Sequence, residues 1–123
     1  MTSYLEIEHA LEQIRFLGFY VKDAGLLDSA LQRPRTTVFG QDAYPDLSTK
    51  AAALMHSIIK NNSLVDGNKR TSWVLFVSFI VANGYVHNMT TDEAFNLTLG
   101  LAADAIDLAS AAQIIQKHLV ARL

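Results

Sequence analysis

The chain has 123 residues, 50% of them hydrophobic and only 18% charged, which excludes a disordered polymer and leaves enough apolar surface for one self-sufficient core. It contains no cysteine, so a disulfide framework, a thiol nucleophile and a thiolate metal site are excluded. A net charge of −2 and a pI near 6.0 remove any global electrostatic footprint for nucleic acid. Met1 to Glu8 lacks the basic start and apolar run of a signal peptide, and the longest apolar run, Trp73 to Ala82, is broken by Ser78 and too short to span a bilayer. The expectation is a single cytoplasmic domain over residues 1–123, with neither nucleic acid nor membrane as a direct partner.

Helical signals dominate from the start. Ser3 and Glu6 stand at capping-box spacing, and Leu5, Ala10, Leu11, Ile14 and Leu17 recur behind them, predicting a first helix from Ser3 to Leu17 stopped by Gly18. Asp23 caps a second, short helix over Gly25 to Gln32, which the Arg33-Pro34 step ends. Arg35 to Pro45 is irregular; its Thr36-Thr37-Val38-Phe39 run before Gly40 is the one plausible strand, read as a lone extended flap. Arg33 and Arg35 either help bind phosphates or, as the first reading, simply face solvent.

Leu47 to Lys60 predicts a third helix capped by Asp46 or Ser48, with Ala52, Met55 and Ile59 along one side. Asn68 to Asn83 is a fourth, apolar almost all round and closed by Gly84, which places it in the middle of the fold. Thr90 with Glu93 opens a fifth, carrying Phe95, Leu97, Leu99 and Leu101; Ser110 with Gln113 opens the last, with Ile114, Ile115 and Leu119 inward. The fold class expected is all-α, a compact bundle of about six helices around a buried central helix, with one short extended flap.

The polar loop Asn61-Asn62-Ser-Leu-Val-Asp66-Gly67-Asn68-Lys69-Arg70 lies between the third and fourth helices. Gly67 lets the backbone approach a ligand, the N–H groups that open the next helix point outward, and Lys69 and Arg70 can neutralise phosphate oxygens. Asp66 would then be the natural Mg²⁺ ligand. An ordinary Asp-Gly-Asn turn with two solvated cations accounts for the same residues. The loop lacks the spacing of a Walker P-loop.

The order Asn62-Ser-Leu-Val-Asp66-Gly67-Asn68-Lys69-Arg70 resembles the signature loop of the Fic/Doc family, His-x-Phe-x-[Asp/Glu]-[Gly/Ala]-Asn-[Gly/Lys]-Arg, in its Doc (death-on-curing) branch. Gly25 to Pro34, Thr36 to Gly40, Tyr44-Pro45-Asp46 and Ala51 to His56 resemble Doc-type sequences too, so the likeness covers most of the chain. It implies a Fic/Doc fold, Asp66 as metal-binding carboxylate, Gly67 and Asn68 as anion-binding turn, and Arg70 as phosphate-binding arginine. Lys69, where adenylylating relatives have a second glycine, marks the Doc branch, whose members transfer phosphate from ATP to a protein hydroxyl. Trp73, where adenylylating relatives have a further arginine, agrees.

The resemblance breaks at one position. Asn62 stands where the family has its catalytic histidine, and an amide cannot serve as a general base at physiological pH. Three readings stay open: an inactive relative, a base replaced to make a toxic enzyme tolerable, or another group standing in. His56, one helix turn and a half earlier, reads first as a satisfied helix residue. The flap, Arg35 to Gly40, would dock a target chain by strand addition, as in Fic-type folds, or pack across the bundle. Together the implied function is a Doc-like toxin of a toxin-antitoxin pair. It would be a protein kinase using ATP and Mg²⁺ on a translation factor such as elongation factor Tu, held by a small antitoxin and impaired at Asn62. The alternatives are a non-catalytic nucleotide- or antitoxin-binding module and, less favoured, a protein adenylyltransferase.

Overall fold

The carboxylate of Asp46 accepts the Thr49 N–H at 2.8 Å and starts the helix around which the chain is built, α3 in a computed structural model that describes residues 1–123. In chain order the helices are α1 (Ile7–Leu17), α2 (Ala24–Gln32), α3 (Leu47–Asn61), α4 (Asn68–Ala82), α5 (Thr91–Ala102) and α6 (Leu108–His118). A 3₁₀ turn, Arg33–Arg35, follows α2, with Pro34 buried at its start. The all-α expectation of about six helices is what the chain adopts.

The buried central helix is α3 rather than α4. Ten of its fifteen residues are buried, against six in α4, and it packs on α6, α4, α2 and α5. The alanine run Ala51-Ala52-Ala53 explains this, because small side chains let neighbouring helices approach α3 closely while Leu54, Met55 and Ile58 fill the gaps. In α4, Leu75, Phe76, Phe79 and Ile80 are buried, while Trp73, Val74 and Val77 are half-buried. No helix is long and apolar enough to cross a membrane.

Caps at Asp23 and Thr90 form as the sequence predicts, the latter with both halves of its capping box. Two others do not. The helix expected from Ser3 begins at Ile7, because Ser3 is tied instead to the far end of α4: its N–H donates to Asn83 Oδ1 at 2.7 Å and its carbonyl accepts from Asn83 Nδ2 at 2.8 Å. Two tertiary bonds outcompete a local box, and Leu5 reaches the core from an extended segment. The last helix starts at Leu108, not Ser110, since Asp107 accepts the Ser110 N–H at 2.7 Å.

The flap is a hairpin, not a lone strand. β1 (Thr37–Val38) pairs antiparallel with β2 (Gln41–Asp42) through a turn in which Phe39 and Gly40 both have positive φ, 52° and 79°. All four strand residues are exposed, and Phe39 at the tip is fully so, so the flap does not pack across the bundle. It is anchored at its base by Lys50, which is buried in α3 and reaches Asp42 at 3.2 Å and the Pro34 carbonyl at 3.4 Å. A second pair was not expected: β3 (Tyr85–His87) lies antiparallel to β4 (Leu119–Ala121), so the last helix stops at His118 and does not carry Leu119.

Candidate functional site

The loop between α3 and α4 is held from below and from one side. Phe19 lies under Gly67, so close that a Cβ on Gly67 would stand 2.4 Å from the ring. Gly67 also has φ +80°, and both facts demand glycine there. The segment after α1 clamps the other flank: Val21 bridges Leu64, the Ser63 carbonyl accepts the N–H groups of Lys22 and Asp23 at 2.9 and 3.1 Å, and the Val65 N–H donates to the Tyr20 carbonyl at 2.9 Å. Leu64 is fully buried and plugs the loop into the core.

Inside the loop, Asn68 acts as a latch. The Leu64 N–H donates to its Oδ1 at 3.1 Å, which orients the amide, so Nδ2 donates to the Leu64 carbonyl at 3.2 Å and to Asn62 Oδ1 at 2.8 Å. That last bond orients Asn62 in turn: its oxygen points at Asn68, and its Nδ2 is bonded to no protein group. Asn62 ends α3 in the left-handed region, φ 52° and ψ 48°, a conformation that asparagine and histidine both tolerate better than most residues.

At the start of α4 no side chain caps the helix, unlike α2, α3, α5 and α6. The first helical bond is Thr71 N–H to the Gly67 carbonyl at 2.9 Å, so the N–H groups of Asn68, Lys69 and Arg70 donate to nothing in the protein. Lys69 and Arg70 are exposed and form no ion pair. Asp66 is also exposed and accepts the Gly67 N–H at 2.8 Å through Oδ1, leaving Oδ2 free. All six of Asn62, Asp66, Gly67, Asn68, Lys69 and Arg70 line one open cleft of about 570 Å³, with Ile59, Val65 and Ala102 as its apolar rim.

The donor set fits a phosphate: three uncapped backbone N–H groups on the positive end of a helix dipole, two unpaired cations and one amide donor. Asp66 is the one carboxylate there, and no cluster of three or more metal-ligating side chains exists in the chain. It fits Mg²⁺ held by one carboxylate with phosphate oxygens and water completing the shell, rather than a resident metal cage.

The remaining candidates behave differently. His56 is not a spare base: Arg33 Nη1 lies 2.7 Å from its Nδ1, so that nitrogen accepts, and burial first, then the nearby charges of Arg33 and Lys60, hold its pKa below the ordinary value. Arg33 does not face solvent, as it also reaches Tyr44 Oη at 3.1 Å and Ser57 Oγ at 3.0 Å. Arg35 likewise lies over the Tyr4 ring at 4.7 Å and pairs with Glu6 at 3.4 Å. Phe19 and the Tyr20 to Asp23 clamp escaped sequence reasoning; their one signal was the Phe19-Tyr20-Val21 run after Gly18, residue types that favour extended pairing.

Residues 3–80 match the model of the Fic/DOC family. Over 117 residues, 91% of this chain and 90% of the relative's, the sequence is 45% identical to a protein called Toxin Doc from Mycolicibacterium smegmatis (strain ATCC 700084 / mc(2)155).

Proposed function

The chain belongs to the Fic/DOC family, and from that premise we propose that it is a Doc-like toxin whose fold serves phosphate transfer from ATP to a hydroxyl of a translation factor such as elongation factor Tu. A small antitoxin is its natural partner, and the cytoplasm, where such a target resides, its place of action. The observation that carries the reading is the uncapped start of α4, with free N–H groups at Asn68, Lys69 and Arg70 and two unpaired cations beside them.

In this reading the three N–H groups and Arg70 hold phosphate oxygens, and Lys69 places its charge where a second glycine would leave room. Asp66, through its free Oδ2, would hold Mg²⁺, which when bound supplies charge neutralisation across the phosphates. Asn62 can hydrogen-bond but does not take a proton, because neither its amide oxygen nor its Nδ2 is basic at physiological pH. The attacking hydroxyl therefore lacks the base that a histidine would provide, a loss of about 10²- to 10⁴-fold.

The same position supports a second reading. An amide whose Nδ2 is free to donate can hold a phosphate without activating a nucleophile, which suits a nucleotide- or antitoxin-binding module derived from the enzyme. Adenylyl transfer is the weakest reading, given Lys69 and Trp73. The test uses Asn62→His with elongation factor Tu and ATP labelled at either the α or the γ phosphate. Transfer of γ label supports the kinase reading; α label would turn the proposal to adenylylation; label from neither position, with ATP still bound, would favour the binding module.

A further inference from the structure

The Arg33 guanidinium has no carboxylate partner. Its Nε donates to Tyr44 Oη at 3.1 Å, and its Nη1 donates to Ser57 Oγ at 3.0 Å and to His56 Nδ1 at 2.7 Å, where burial favours the neutral imidazole. Three of its five N–H groups are thereby spent on neutral acceptors, while both protons of Nη2 have no acceptor in the protein and are not buried. A cation at the end of α2 suits that helix's dipole, but the dipole uses none of the Nη2 protons. A half-buried charge is thus left unmatched.

This side chain lines a polar pocket of about 350 Å³ between α2 and α3, together with Ser29, Gln32, Thr36, Ser57 and Asn61. No apolar residue belongs to it, and it shares no residue with the phosphate cleft. Thr36 Oγ1 donates to the Arg33 carbonyl at 2.7 Å, Asn61 Nδ2 to the Leu26 carbonyl at 2.9 Å, and Gln32 Nε2 turns toward Asp28 at 3.5 Å, so those three side chains aim their donors at the protein. What is free is Arg33 Nη2 and the hydroxyl protons of Ser29 and Ser57, one positive charge with two neutral donors beside it. That set matches an oxyanion.

We infer that the α2–α3 pocket is an oxyanion subsite that holds the carboxylate of an acidic side chain on a bound protein chain. One charged nitrogen and two hydroxyls hold a free ion only weakly, whereas a carboxylate carried on a chain already docked gains from its effective concentration. Thr36 supplies the place for that chain, because it walls the pocket and leads directly into β1. The β1–β2 hairpin has only two strands, so both outer edges are unpaired, with Val38 54% and Phe39 fully exposed. An extended segment paired with β1 begins or ends beside the pocket. The inference is independent of the phosphate reading of the loop.

The test follows the Arg33 Nε and His56 ring signals by NMR in the full chain during titration with acetate, inorganic phosphate, hexaglutamate and hexaglutamine. Acetate and phosphate are expected to shift both signals only in the millimolar range, hexaglutamate to do so at a carboxylate concentration about tenfold or more lower, and hexaglutamine not at all. Ser29→Glu places a carboxylate four residues before Arg33, one helical turn away, where it fills the pocket from within. It is expected to abolish the hexaglutamate shift while leaving the urea midpoint unchanged or raised. Arg70→Ala removes a cation of the other cleft and is expected to leave the shifts as in the wild type. No shift with any anion, or a hexaglutamate shift that survives Ser29→Glu, would overturn the inference. Shifts with acetate or phosphate but no gain for hexaglutamate would overturn the protein partner and assign the pocket to a free ion. Loss of the shifts in Arg70→Ala would overturn the site itself and assign them to the phosphate cleft.

Discussion

Asn68 Nδ2 donates to Asn62 Oδ1 at 2.8 Å, and this one bond between the two ends of the loop decides what the position of the missing histidine can do. Because the Leu64 N–H fixes the Asn68 amide, the bond also fixes which end of Asn62 is free. The latch predicts a strong and specific effect of Asn68→Ala. The substitution strands the Leu64 N–H and carbonyl beside a fully buried side chain and removes three hydrogen bonds, a destabilisation of about 2–3 kcal/mol. A urea titration checks it. A change below about 0.5 kcal/mol, the range of ordinary surface substitutions, would mean that the latch does not hold the loop.

Gly67→Ala tests the contact with Phe19. The substitution meets a left-handed backbone and a ring 2.4 Å from the new Cβ, and an order-of-magnitude cost of 2–3 kcal/mol follows from strain and overpacking together. Pairing it with Phe19→Leu relieves the collision but not the backbone strain, so the double variant should recover part of the loss. Strict additivity of the two substitutions in thermal unfolding would contradict the contact.

The local signals were legible and the distant ones were not. Asp23, Asp46 and the Thr90–Glu93 box each depend on residues within one turn, and each was readable from spacing. Ser3 carried an equally good spacing that lost to Asn83, eighty positions away, and Leu119 continued an apolar helical period yet pairs with His87 as a strand. The site divides the same way: Asp66 to Arg70 were visible as a contiguous motif, whereas Phe19 under Gly67 and the binding of Arg33 to His56 arise from chain segments that meet only in the fold. Periodicity also placed α4 at the centre, because its apolar residues run all round; the alanines of α3, weak in hydropathy but suited to close packing, win that position.

His56 gives the protein a pH dependence of defined sign. Burial first, and then Arg33 and Lys60, keep its folded pKa below the ordinary 6.5, so the unfolded chain binds the proton first on acidification. Stability from this neutral ring is present above the unfolded value and is lost as pH falls through 6.5 toward the folded one. His87, lowered by burial and then by His118, acts in the same direction. The urea midpoint should therefore fall between about pH 7 and pH 5. His56→Gln keeps an acceptor for Arg33 without a titrating proton and should flatten that fall; a slope identical to the wild type would remove His56 from the explanation.

Holding a nucleotide and using it separate at Asn62, and the most direct measurement compares the wild type with Asn62→His for rate of γ-phosphate transfer from ATP to elongation factor Tu, with ATP affinity measured on the same samples. The two proteins are expected to bind ATP within about threefold of each other, while transfer rises by about 10²- to 10⁴-fold when the histidine is present. A wild type that transfers phosphate as fast as Asn62→His would contradict the account, because the base would then lie somewhere other than at the head of this loop.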